Sequence, residues 1–509
     1  MPRRPLLLIL LLLVVVHILV VGWFASTRPI DGDEGYYGLA ARLVAEGQTP
    51  YADFFYPQAP LLPYLYAPGA LVTGSPQLPG LRIVSVVFSG LTLLLAAYWL
   101  RRAHGERAGV AMAALLILAL SPELIQWNAT VKTFAWTNLM TLAGLVALSL
   151  GLESGPRRVS WLVVGGLALG LATSARLLFA PAALVPVVWL ALRSRDRRWQ
   201  GAMAWVGGLV IGLVPVWVAV LRDPAVFWFN NVGYHQLRFS ELESASMGTK
   251  ALAALQTLII TLATNPGLLL MVVLAILGAV TWRRAATEDR HDLEPVALVT
   301  AGTLLLSSLV PNPVYAQYFT GTLPVLLLPA VVGGLTRVPW PRPSIIRGAV
   351  ALAGAAACLA SLLVLRHDID PAPEWRLDHY RAINRKLAAM TEPDDVLFSF
   401  WSGYVAGSGA RPYPGMENHF AVSVSERLNA RDRKRFHIAG RHEMARAFRK
   451  ETPDAAVVGT WMNDVNTALD DQQMIDLLAE FTRRYVLVEE LDGVKLCRRA
   501  RDLPAVRQP

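Results

Sequence analysis

Three carboxylates crowd into one short stretch, Asp31-Gly32-Asp33-Glu34-Gly35-Tyr36-Tyr37, directly after a long apolar run. Charge of this density is costly where an apolar helix meets water, unless it is solvated or used. A carboxylate held there can act as a general base, taking a proton from a hydroxyl or amine nucleophile. Asp31 would raise the pKa of Asp33 by like-charge proximity. A structural reading fits the same residues: Asp33 caps a following helix and Glu34 favours its N-terminal dipole. Both readings remain open on these residues alone. Asp31, Asp33 and Glu34 also offer oxygen ligands of the kind a divalent cation takes.

Other chemistry finds less support. His235, His291, His367, His379, His419, His437 and His442 show no metal-ligand spacing, which suits solvated or core histidines. The two cysteines, Cys358 and Cys497, are too few and too badly placed for a structural disulfide or a thiolate site. No P-loop, GxGxxG or HExxH occurs. The triplet Asn128-Ala129-Thr130 fits a glycosylation acceptor, but such triplets are common by chance. Gly415-Met416-Glu417-Asn418-His419-Phe420 is polar and aromatic enough to touch an acceptor, and a surface loop explains it equally well.

The elements that must position these residues follow from hydropathy. The 509 residues are 54% hydrophobic and 17% charged, with a mean hydropathy of +0.41, too apolar for an ordinary soluble enzyme. A net charge of +9 invites a nucleic-acid reading. Its location argues against one: residues 366–509 hold 22 Lys plus Arg and 22 Asp plus Glu, so the whole excess lies in the apolar part. Apolar stretches recur at 6–24, 81–100, 108–122, 134–151, 159–174, 177–192, 201–221, 266–282, 295–310, 319–335 and 346–365. They predict about eleven transmembrane helices. The bulky residues Trp23 and Phe24 make the first an uncleaved helix rather than a signal peptide. With the N-terminus cytoplasmic, arginines such as Arg101, Arg102, Arg157, Arg158, Arg195 and Arg283 collect on the inside.

That topology divides the chain into a membrane module, 1–365, and an extracytoplasmic domain, 366–509. The segments 25–80 and 222–265 also lie outside. Tyr36 to Ala45, Pro60 to Leu71 and Ala251 to Ala263 suit helices at the membrane surface. In the tail, Asp395 to Phe400, Ala455 to Gly459, Tyr485 to Val488 and Val494 to Cys497 read as strands, and Leu377 to Met390 and Gln472 to Arg484 as helices. Together they predict a small α/β domain.

A family resemblance rests on these residues. An apolar helix, Asp33-Glu34-Gly35-Tyr36-Tyr37, a helix over Gly38 to Glu46, Gly47, Asp53 and Tyr56-Pro57-Gln58-Ala59-Pro60-Leu61-Leu62-Pro63-Tyr64-Leu65-Tyr66 resemble the first external loop of GT-C glycosyltransferases. Within that class the chain is most similar to the bacterial group related to protein O-mannosyltransferases and the lipid A aminoarabinose transferase. The similarity extends to the hinge at Ala172 to Leu177 and to Tyr315-Ala316-Gln317-Tyr318-Phe319.

The resemblance implies a GT-C fold and inverting transfer, without a metal or other cofactor, from a polyprenyl-phosphate sugar to a lipid, glycan or protein acceptor. The reaction would take place on the outer face of the cytoplasmic membrane. Asp33 matches the catalytic base, Glu34 is a supporting carboxylate, and Asp31 lies outside the matched pair. Tyr36, Tyr37, Tyr56, Gln58, Tyr315 and Tyr318 would line the donor or acceptor pocket. A leaving phosphate needs cations, and the outer side offers Arg28, Arg42, Arg82, Lys132, Arg176, Arg222, Arg238 and Lys250. Arg176, between two short helices, Arg82 and Lys132 are the donor-phosphate candidates, with snorkelling to the interface as the bland alternative for Arg176.

Two departures stand out. Where some relatives carry a second acid, this chain has Trp127 to Thr133, with Glu123 the nearby carboxylate. Gln58 precedes Ala59-Pro60 where the lipid A enzyme has a lysine, a phosphate-facing role that Lys132 can take over. Competing readings are a glycolipid transporter or flippase, against which the lack of visible repeats counts, and a non-catalytic assembly factor, for which eleven helices are excessive.

Overall fold

The structure is a computed structural model that describes residues 3–73, 77–153, 155–193, 198–238, 246–284, 293–311, 315–339, 341–367, 375–459 and 479–502. It divides into two compact units, the first formed by Met1–Ala25, Ser85–Trp217 and Glu243–Ile369, the second by Ser26–Val84, Val218–Leu242 and Asp370–Pro509. The chain begins with helices α1 (Arg3–Thr27), α2 (Gly32–Ala45), α3 (Leu61–Thr73) and α4 (Gln77–His104). Arg195, Arg290, His291 and most of Gln472 to Arg484 lie outside the described residues.

Each of the eleven apolar runs carries helix, and the protein is an integral membrane protein. Among the described residues six helices are long and apolar enough to cross a bilayer, or eight if two bent pairs each count as one span. Ala180–Arg193, Leu293–Ser307 and Leu323–Arg337 have 14, 15 and 15 residues. At about 1.5 Å per residue they fall short of ~30 Å of hydrocarbon. The expected count of eleven full crossings is therefore not reached by length.

The bent pairs have local causes. Ala108–Ala119 and Pro122–Asn128 meet at 49°, and the helices on either side of Leu213 meet at 56°, with Pro215 just beyond the break. Neighbouring side chains satisfy carbonyls at both breaks. His17 Nδ1–H donates to the Ala119 carbonyl at 2.6 Å, and Ser174 donates to that of Gly212 at 2.7 Å. Small residues let helices Arg158–Ala175 and Arg198–Gly212 approach closely. A Cβ on Gly166 would lie 2.0 Å from the Trp205 carbonyl oxygen, and one on Gly208 2.0 Å from that of Val163.

In the second unit the tail forms a five-stranded sheet from β1 (Val396–Ser399), β2 (Arg411–Pro412), β3 (Ala455–Val458), β4 (Tyr485–Leu491) and β5 (Val494–Arg499), in the order β2-β1-β3-β5-β4. β1 runs parallel to β2 and β3, whereas β5 is antiparallel to β3 and β4. Asp492-Gly493 turns the β4–β5 hairpin with both φ positive, the geometry such a two-residue turn needs. The four expected strands and the helix Leu377–Met390 are all present; Arg411–Pro412 is an addition too short to show any periodicity.

α2 is enclosed by protein, with every residue from Glu34 to Leu43 buried. Its small residues permit this enclosure. A Cβ on Gly35 would lie 2.5 Å from the Trp401 indole nitrogen, and one on Gly38 2.6 Å from Leu78.

Candidate active site

The acidic stretch folds as a capping box at the start of α2. Asp31 Oδ1 accepts the Asp33 N–H at 3.1 Å, and Glu34 Oε2 accepts the Asp31 N–H at 3.0 Å. The cap is thus Asp31 rather than Asp33. Glu34 is fully buried and paired with Arg82, whose Nε donates to Oε1 at 2.9 Å and whose Nη2 donates to Oε2 at 2.5 Å. Arg82 also donates to the carbonyls of Arg28 at 3.0 Å and Pro29 at 3.1 Å. These bonds fasten the segment after α1 and the start of α2 to α4, and they direct Arg82 at protein groups.

Asp33 is half-buried in the first turn of α2. Tyr36 and Tyr37 follow it by three and four residues, on the same helix face. Their rings lie 4.2 Å apart, and each lies 6.3 Å from Tyr56. Burial, with Tyr37 and Asp33 beside it, holds the Tyr36 phenol well above its usual range. Gln58 contributes its carbonyl, which accepts the Tyr51 hydroxyl.

Two asparagines that the sequence did not single out support this loop from a π-helical turn, Phe229–Gly233. Asn230 Oδ1 accepts the Tyr56 N–H at 3.0 Å, and Asn231 donates to the Tyr51 hydroxyl at 3.2 Å. Adjacent asparagines in a segment between apolar runs gave the only signal, and a π turn is what presents both to one loop.

The remaining candidates gather in the first unit. Arg176 ends helix Arg158–Ala175 in extended backbone, φ −155° and ψ 107°. Its guanidinium carbon lies 4.8 Å from the ring centroids of both Phe134 and Tyr318. Among the described residues no carboxylate pairs with it. Lys132 is buried, donates to Gln317 Oε1 at 3.0 Å and lies 5.4 Å from the Trp127 ring centroid. Tyr315 packs edge-on against Tyr318 at 5.5 Å. The short helix Ala316–Thr320 therefore brings Lys132, Arg176, Tyr315 and Tyr318 together, and adds Gln317, which sequence reasoning had not marked.

Glu123 is buried and directed inward: it accepts from Asn265 at 2.7 Å, Thr320 at 2.9 Å and Trp127 at 3.1 Å. Asn128 is buried too and donates to Ser89 at 2.9 Å, which removes it as a glycosylation acceptor. Among the described residues no group of three His, Cys, Asp or Glu side chains has metal-site geometry.

The family model described as dolichyl-phosphate-mannose-protein mannosyltransferase matches residues 57–221, which include Arg82, Lys132 and Arg176 and begin after the acidic stretch. No curated protein sequence matches the chain. ArnT from Cupriavidus metallidurans, solved bound to undecaprenyl phosphate, superposes with a TM-score of 0.67 at 15% identity, over 98% of this chain and 99% of that one. Its apo state gives 0.65 at 15% identity, over 96% and 97%.

The fold is GT-C. An Archaeoglobus fulgidus oligosaccharyltransferase, solved with zinc and sulfate, matches more distantly, with a TM-score of 0.50 at 14% identity over 97% of this chain and 74% of that one. Within this GT-C fold the acidic helix is enclosed by the chain's own tail. Arg42 donates to the carbonyls of Val405 at 2.9 Å and Ala410 at 2.6 Å, and Trp401 donates to that of Gly32 at 3.0 Å.

Proposed function

We propose that this protein is an inverting glycosyltransferase that moves a sugar from a polyprenyl-phosphate donor to a hydroxyl or amine acceptor outside the cytoplasmic membrane. The acceptor heteroatom attacks the anomeric carbon, the bond from that carbon to the phosphate oxygen breaks, and polyprenyl phosphate leaves. Asp33 takes the acceptor proton. Arg176 and Lys132 hold the phosphate, Arg176 through the donor fork of its guanidinium. Glu34 and Arg82 position the loop that carries Asp33, so on this reading Arg82 is not a phosphate ligand.

The observation that carries this reading is the division of labour within one acidic stretch. Asp31 and Glu34 close the capping box and Glu34 holds Arg82, while the half-buried Asp33 shares a helix face with Tyr36 and Tyr37. Support also comes from the GT-C fold and from the undecaprenyl phosphate bound in the ArnT structure. Transfer without a metal belongs to the same reading, since two of the three carboxylates are committed to the cap.

The test is transfer by purified protein from radiolabelled polyprenyl-phosphate sugars, with and without a chelator. Asp33→Asn should lower turnover about 10²- to 10⁴-fold with donor binding intact. Full activity of Asp33→Asn removes the base assignment. Loss of activity on chelation removes the metal-free one.

A further inference from the structure

The run Arg431-Asp432-Arg433-Lys434-Arg435 of the tail forms the short helix Ala430–Arg435, and its charges are used differently. Asn429 Oδ1 accepts the Asp432 N–H at 2.9 Å and caps the helix. Arg433 turns inward and donates to the Leu428 carbonyl at 2.6 Å and to Glu443 at 2.9 Å. Arg435 Nη2 donates to both carboxylate oxygens of Asp223, at 3.0 and 3.1 Å. Arg431 and Lys434 are exposed, and among the described residues neither pairs with a carboxylate. Arg431 precedes Lys434 by three residues and Arg435 by four, so these three share one helix face.

Asp223 sets the level of that face. It follows Arg222, the last residue of a bent apolar span whose halves, Trp199–Gly212 and Val214–Arg222, meet at 56°. At about 1.5 Å per residue the two halves together advance about 30 Å along the axis of the first, the thickness of the hydrocarbon, so Arg222 ends at its boundary. The side chains around it agree. Leu221 is 82% exposed, Trp228 is 60% exposed, and Tyr64, also exposed, lies close enough to Arg222 for the cation to act on its phenol; such aromatic and basic residues mark a bilayer interface. Two more contacts hold the short helix at this level. Phe436 stacks on Phe229 with ring centroids 3.8 Å apart and planes 5° apart, and Arg427 donates to the Leu237 carbonyl. The headgroup layer extends about 5–8 Å beyond the hydrocarbon, roughly one helical turn, so Arg431 and Lys434 fall within its reach.

We infer that the face carrying Arg431 and Lys434 is a docking surface for the anionic headgroups of the bilayer. Charge selects the partner. The two nearby acids are committed elsewhere: Asp223 to Arg435 and to the Ala225 and Val226 N–H groups at 3.0 Å, and Asp432 to the Asn429 amide at 2.7 Å. A basic side chain at an anionic membrane surface shifts the local equilibrium about fivefold, whereas a zwitterionic surface offers no net attraction. Docking gives the tail a hold on the bilayer that is separate from its chain connection to the helix Pro343–His367.

The test uses the full chain in phosphatidylcholine nanodiscs, with a fluorophore on Ala430→Cys; the native Cys358 and Cys497 are buried. The probes are dilute phosphatidylglycerol and phosphatidylcholine, each carrying a nitroxide quencher high on its acyl chain. Both should quench the fluorophore, and phosphatidylglycerol should do so at an about fivefold lower mole fraction, a comparison that needs no change of charge in the protein. About 0.5 M salt should erase the preference, as should Arg431→Glu/Lys434→Glu. The control Arg446→Glu/Lys450→Glu reverses two exposed charges on another helix and should leave the preference intact. No quenching by either lipid means that the face stands clear of the bilayer and overturns the inference. Equal quenching by both lipids, or an equal loss of preference in the control, also overturns it, since neither needs Arg431 and Lys434. Heparin binding that depends on these two residues, without any lipid preference, would assign the face to a soluble polyanion and overturn the membrane partner.

Discussion

Glu34 and Arg82 show how a residue pair decides between two roles. Each side chain is within 1% of full burial, and removing one partner of such a pair leaves an uncompensated charge. Arg82→Ala should therefore destabilise the protein by about 3–5 kcal/mol, seen as a lower melting temperature in detergent. The double variant Glu34→Gln/Arg82→Met should recover most of that loss. A phosphate-binding Arg82 would behave differently, since the double variant would regain stability without regaining donor affinity.

Glu417 offers a titration test. Burial pushes its carboxyl up to about 7 from an ordinary carboxylate value. The folded state thus binds a proton more tightly than the unfolded chain. This contribution to stability is fully present below the unfolded value and is lost as pH rises through about 7. Glu417→Gln should flatten the dependence and melt higher than the parent at pH ~8, by about 1–3 kcal/mol of stability. Melting curves of the full chain at several pH values check this, and an unaltered pH slope in the variant would contradict it.

At the scale of elements, side-chain polarity inside the first unit works as a positioning chain. His17 accepts from Ser89 at 2.7 Å, Asn128 donates to Ser89, Asn138 donates to Asn128 at 2.9 Å, and Asn138 also donates to the Gly321 carbonyl at 3.0 Å. Gly321 follows the short helix that carries Gln317 and Tyr318. Asn138→Leu should therefore weaken donor binding without touching a phosphate ligand, as read by titration with polyprenyl phosphate. Helix packing gives a simpler prediction. At Gly166 any side chain meets the backbone of Trp205, so Gly166→Leu should abolish the monodisperse peak in size-exclusion chromatography, and Gly166→Ala should lower the melting temperature by several degrees.

What the sequence made legible followed from local pattern. Apolar runs marked the helices, short apolar runs marked four strands, and Asp31 to Tyr37 marked the loop. The Glu34–Arg82 pair joins residues 48 apart, and the Arg176–Tyr318 contact joins more distant ones, so no periodicity reports either. Pattern also left the full burial of α2 unseen, because enclosure by the tail is a tertiary property. Asn230 and Asn231 stayed hidden because their use depends on one widened helical turn.

At the scale of the whole molecule, we propose from the arginine distribution that the tail lies outside and Arg157 inside. Single cysteines at Asn429 and Arg157, both exposed, test this, and the native Cys358 and Cys497 are buried and give little background. An impermeant thiol reagent applied to intact cells should label position 429 and spare position 157. The reverse pattern would invert the topology and place Asp33 on the wrong side for the proposed donor.

The enclosure of α2 also sets a schedule for biosynthesis. Its clamps come from residues 363 to 369 positions later in the chain: Arg42 to Val405 and Ala410, and Gly32 to Trp401. At about 5–20 residues per second, a ribosome needs tens of seconds to make the segment between them. Through that interval the loop bearing Asp33 has been made but lacks the tail that encloses it, and only synthesis of the tail completes it. A chain stopped near residue 370 would keep its membrane helices and lose the order of its acidic helix, so protease sensitivity between residues 28 and 60 should separate such truncated chains from finished ones.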